Sequence, residues 1–108
     1  VRDLFVVRLL EDRRVIKDWH LSGGKRTHTL DPGRAYEQLL EFNQWAGGEV
    51  FDLEAWKDPG PGAALGELYH DLHLNRFWPR EDLKNVGLPA KTLNLISQIR
   101  GRIGTYTG

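Results

Sequence analysis

Leu4-Phe5-Val6-Val7-Arg8-Leu9-Leu10, then Glu11-Asp12-Arg13-Arg14, then Val15-Ile16-Lys17-Asp18-Trp19-His20-Leu21, is the stretch on which the architecture turns. The first seven residues are rich in β-branched and apolar side chains, the charged quartet suits a turn, and the second run alternates roughly with period two. Ser22-Gly23-Gly24 offers residues that tolerate positive φ, and Lys25-Arg26-Thr27-His28-Thr29-Leu30 adds a third short extended run. Residues 1–30 therefore read as a three-stranded antiparallel β-meander, and the fold class as α+β. Such a sheet is marginal alone in water and needs a cover for its apolar face.

The cover follows directly. Asp31 is suited to cap a helix with Pro32 at its first position. Ala35, Tyr36, Leu39, Leu40, Phe42 and Trp45 recur at helical spacing to about Ala46, where Gly47-Gly48 stops the run. Glu49-Val50-Phe51 reads as extended, and Asp52 as the cap of a brief helix over 53–57. Asp58-Pro59-Gly60-Pro61-Gly62 cannot continue a helix or a central strand. It reads as a hinge, separating an α+β part (1–57) from a helical part (63–108) within one compact domain. Beyond it the spacing predicts helices over 63–76, from Pro79 to Gly87, and over 90–103, with Leu93, Ile96, Ile99 and Ile103 facing inward.

Composition excludes much. At 108 residues the chain reads as one domain, or at most one domain with an appended lobe, and its 40% hydrophobic and 28% charged content is that of a globular protein. No apolar run approaches the roughly 18 residues of a membrane span, and no leader is evident, so the expectation is a cytoplasmic protein without membrane contact. With no cysteine there is no disulfide, thiolate nucleophile or Cys-type zinc site. Net charge is zero, yet it is unevenly placed. Residues 1–30 carry seven basic and four acidic side chains, 31–74 two and nine, and 75–108 six and two. A neutral chain of this kind can still present a basic face.

The predicted short helix, the Gly87-Leu88-Pro89 turn and the longer last helix have the layout of a helix-turn-helix, whose second helix enters the DNA major groove. The outward stripe of the last helix reads Lys91, Asn94, Gln98 and Arg102. Asn and Gln can read adenine bidentately, and Arg and Lys can reach guanine or phosphate. Arg80, Lys84 and Arg100 are the further candidates for phosphate contact, with Thr92 and Ser97 as lesser ones. A solvated helix face of amides and cations has the same pattern without any DNA.

Residues 24–40, from Gly24-Lys25-Arg26-Thr27-His28-Thr29-Leu30 into Asp31-Pro32-Gly33-Arg34-Ala35-Tyr36-Glu37-Gln38-Leu39-Leu40, resemble the strand-to-helix entry of OmpR-type winged-helix domains. Residues 48–56 are similar to that family's step into its second helix, and Lys91 to Gly104 to its recognition helix with a basic end. The resemblance implies a transcription regulator whose last helix reads DNA. A local three-helix unit over 63–103 is the alternative frame, and it selects the same final helix.

Other chemistries are weaker. His70 and His73 sit i, i+3 and need a third ligand, from His20, His28 or a carboxylate, to hold a metal; no metal or other cofactor is expected. No nucleophile elbow, phosphate-binding glycine loop or His-Glu-x-x-His motif is present, so no enzyme is expected. Trp19, Trp45, Trp56 and Trp78 suit a core, and they equally suit a protein-docking surface on a transcription or replication complex such as RNA polymerase. Phe5, Trp19 and His28 alternate with Arg8, Lys17 and Arg26, a pattern also compatible with single-stranded nucleic acid.

Overall fold

A computed structural model describes residues 2–74, 88–100 (the Arg100 side chain excepted) and Tyr106. Among these residues there are four α-helices and no strand: α1 (Arg2–Asp12), α2 (Pro32–Ala46), α3 (Gly62–Leu74) and α4 (Ala90–Arg100). Two short 3₁₀ turns, His20–Ser22 and Leu53–Trp56, lie between them. The α+β expectation is therefore corrected: residues 1–30 form no meander, and the strands that a winged-helix entry requires are absent from this region.

The reason lies in α1. Leu4, Val6, Val7, Leu9 and Leu10 are all fully buried. A helix covered on nearly every side has no amphipathic stripe, and a short continuous apolar run fits a buried helix as well as a buried strand. The charged quartet then ends the helix instead of turning a hairpin. Arg14 adopts φ 60°, its N–H donates to the Glu11 carbonyl at 3.0 Å, and the Val15 N–H donates to the Leu10 carbonyl at 2.9 Å. This pair of bonds is a Schellman C-cap, with arginine at the position glycine usually takes. Residues 23–30 continue as loop with no strand partner among the described residues.

The expected capping of α2 is present. The Asp31 side chain accepts from the Gly33 and Arg34 N–H groups, Pro32 opens the helix, and Gly47 at φ 81° closes it. Ala35, Leu39, Phe42 and Ala46 form its buried face. Buried Asn43 ties down the chain that follows: its Oδ1 accepts from the Val50 and Phe51 N–H groups, and its Nδ2 donates to the Phe51 carbonyl, each at 3.0 Å. Phe42 packs edge-on against Phe51 and Tyr106, with ring centroids 5.4 and 5.1 Å away.

Helix α3 lies against α1 and against the backbone of residues 28–30. The Leu30 N–H donates to the Gly62 carbonyl at 3.0 Å, and a Cβ on Gly66 would run into the His28 carbonyl. The expected helix from Pro79 to Gly87 and, Tyr106 apart, the residues after Arg100 lie outside the described residues.

Candidate functional site

Two places bring together side chains with chemistry to offer. The first is α4. Thr92, Ile96 and Ile99 are buried, and Leu93 and Leu95 are half-buried. Lys91, Asn94, Ser97 and Gln98 are exposed. The stripe read from the sequence is thus turned outward as far as it is described, with no acidic residue on the helix itself. Thr92 does not belong to that face, because its hydroxyl points inward and donates to the Glu49 carbonyl at 3.5 Å. Lys91 borders a small cleft with Arg2, Glu49 and Asp52, so carboxylates flank the start of the helix. Arg80, Lys84 and Arg102 lie outside the described residues, and of Arg100 only the backbone is described.

The second place is the C-terminal end of α1. The Glu11 carboxylate is fully buried. Its Oε1 accepts from the Trp19 N–H at 2.6 Å and meets His73 Nε2 at 2.6 Å, and its Oε2 accepts from the Tyr69 hydroxyl at 2.7 Å. Arg8 Nη1 stands 3.8 Å from the same carboxylate and 3.8 Å from Asp18. The Trp19 indole stacks flat on His73, centroids 3.6 Å apart, and Tyr69 meets both rings edge-on.

Hydrogen-bond accounting defines the protons here. His73 Nδ1 faces the Tyr69 carbonyl at 2.8 Å, an acceptor only, so that nitrogen carries hydrogen. The 2.6 Å contact of Nε2 with Glu11 needs one more proton between them. The pair is net neutral whichever atom holds that proton. Neither ring nitrogen is left over for a metal or a substrate. Tyr69 is equally committed: besides donating to Glu11, its oxygen accepts from the Leu21 N–H at 3.2 Å. Burial, followed by the Glu11 charge and hydrogen bond, raises its phenol well above the ordinary tyrosine range.

His70 and His73, weighed from the sequence as an i, i+3 pair in need of a third ligand, take different partners. His73 works with Tyr69, four residues earlier on the same face, and His70 packs beside His28, centroids 4.1 Å apart. Among the described residues no three side chains of metal-ligating type converge. His20 lies apart, near Tyr106; burial lowers its affinity for a proton against the opposing pull of Glu11 and Glu41.

A cleft of about 550 Å³ opens beside the Glu11 cluster, lined by Arg8, Arg14, Arg26, Asp12, Asp18 and His73 among others. Nothing in residue spacing marked Glu11 as its hub. The only signal was a second acid, Asp3, eight residues earlier on the same apolar helix. Asp3 is also buried, accepting from Trp56 Nε1 at 2.7 Å and from the Asp52 N–H at 3.2 Å, and burial raises its carboxyl pKa despite these bonds. Helix α1 is thus latched at each end by a carboxylate and a tryptophan.

No helix among the described residues is long and apolar enough to cross a membrane. Comparison with protein-family models, curated proteins and solved structures returns no match.

Proposed function

We propose that this chain is a cytoplasmic, non-enzymatic regulator that contacts duplex DNA through the outer face of α4. The observation that carries the reading is the orientation of that helix: Lys91, Asn94 and Gln98 face solvent while Thr92, Ile96 and Ile99 anchor it. A helix fits the major groove, where Asn and Gln side chains can pair with adenine edges and Lys with guanine or phosphate. Arg102 would continue the reading stripe, and Arg80, Lys84 and Arg100 would add phosphate contacts in this reading. The non-enzymatic part is supported by the Glu11 cluster, where the polar atoms of the His73 and Tyr69 side chains are taken up by Glu11 and by backbone groups.

The test is binding of a fluorescently labelled duplex across a salt series. Each neutralised phosphate contributes about −0.9 to the slope of log K against log salt. We expect a steep slope, made shallower by Lys91→Glu, and weaker binding on Asn94→Ala with Gln98→Ala. Absence of binding, or binding indifferent to these substitutions, would overturn the reading. A rival reading, docking on a transcription complex such as RNA polymerase, is favoured by Glu49 and Asp52 beside Lys91; it predicts no duplex binding at all.

A further inference from the structure

We propose that the cleft at the C-terminal end of α1 is a binding site for a phosphate group, free or carried on a small phosphomonoester. The cleft is separate from α4. Lys91 borders the Arg2 end of α1, whereas Arg14 and Arg26 stand at the other end, and ten helical steps of about 1.5 Å lie between Arg2 and Asp12.

The charges in the cleft decide what it attracts. Glu11 and His73 share a proton and are neutral as a pair. Arg8 stands between Glu11 and Asp18, 3.8 Å from each, which cancels Asp18. Asp12 also lines the cleft and has an interaction of its own. Arg14 and Arg26 are exposed at the rim and pair with no described carboxylate. The cleft's two cations that lack a carboxylate partner among the described residues are therefore both guanidinium groups, and they come from two different segments.

Geometry selects among anions. Each guanidinium presents a planar fork of N–H donors that suits two oxygens. A carboxylate has two oxygens and satisfies one fork. A phosphate group offers three terminal oxygens or more, which lets two forks bind it together. The volume, about 550 Å³, lies within the roughly 300–1,000 Å³ of small-ligand sites.

The backbone at Arg14 adds an independent reason. Its left-handed conformation sits where a Schellman cap ordinarily takes glycine. A non-glycine residue there carries a strain that glycine lacks. Attraction between the cation and the negative end of the helix offsets part of this strain. The arginine at this position nonetheless delivers a guanidinium to the rim of the cleft.

Arg14→Gly separates the two roles, because it relieves the backbone while removing the cation. The experiment is titration of the intact chain with inorganic phosphate and with adenosine monophosphate, followed by calorimetry and by amide NMR. Saturable binding is expected, with shifts around residues 8–28. Arg14→Gly with Arg26→Ala should weaken it at least tenfold without lowering the melting temperature, and Lys91→Glu should leave it unchanged. Tighter binding of the nucleotide identifies an ester as the ligand, and tighter binding of phosphate identifies the free ion. No saturable binding of either, or binding untouched by the double substitution, would overturn the proposal. Loss through Lys91→Glu alone would do the same, moving the site to α4.

Discussion

Removing the Glu11 carboxylate is the sharpest perturbation the structure suggests. Glu11→Ala strips the acceptor from three donors at once: the Trp19 N–H, the Tyr69 hydroxyl and His73 Nε2. A buried donor left unpaired costs about 1–3 kcal/mol, and breaking a buried charged pair from one side about 3–5 kcal/mol. The three donors share one vacancy beside an open cleft, where water can re-pair some of them, so the penalties do not simply add. The expected loss is about 3–5 kcal/mol, a large part of the roughly 5–15 kcal/mol that holds such a domain together. With a urea slope of about 1–3 kcal/mol per molar, the unfolding midpoint falls by about 2 M. Glu11→Gln keeps the shape but turns an amide N–H₂ toward a donor, and should lose about 1–3 kcal/mol. The decisive assay is a double-mutant cycle of Glu11→Ala and His73→Ala by urea unfolding, followed by tryptophan fluorescence. The two losses should overlap by more than about 1 kcal/mol, because each substitution breaks the same contact. If the losses add to within about 0.5 kcal/mol, or if Glu11→Ala leaves the midpoint unmoved, the carboxylate is not the hub described here.

Two further outcomes follow from other parts of the molecule. Burial lowers the His20 pKa below its ordinary value near 6.5, so the unfolded chain takes up that proton first as pH falls. His20 therefore contributes stability that is present above about pH 6.5 and lost on acidification toward its depressed native value. Melting temperatures measured from pH 7.5 to 5.5 should fall, and His20→Phe should flatten the fall; an unchanged slope would contradict this. Gly66→Ala drives a Cβ into the backbone of His28 and Thr29, which cannot rotate aside. Overpacking of this kind costs about 1–3 kcal/mol, visible as a drop of several degrees in thermal unfolding, and an unchanged melting temperature would show that α3 does not pack this closely.

Helices delimited by local chemistry were legible from sequence. Asp31, Pro32 and Gly47 bound α2 because capping bonds form within a few residues. α3, expected over 63–76, begins at Gly62 and is described as far as Leu74, residues 75 and 76 lying outside the described residues, and α4 starts at Ala90 as its periodicity indicates. α1 was misread because full burial erases the stripe that separates a helix from a strand. The Lys91, Asn94 and Gln98 face was legible for the opposite reason, since half-burial preserves the stripe. The Glu11 cluster was not, because its bonds to Tyr69 and His73 span 58 and 62 residues. Side chains that meet only through tertiary packing leave no spacing to read, and Glu11-Asp12-Arg13-Arg14 looks like any solvated charge run.

The proposal that α4 contacts DNA is tested most directly by amide NMR of the intact chain titrated with a short duplex at low salt. The backbone signals of Lys91, Asn94 and Gln98, with the side-chain amides of the latter two, should shift together to saturation and return as salt is raised. Signals that stay fixed along α4, whether the duplex perturbs residues elsewhere or none at all, would contradict it.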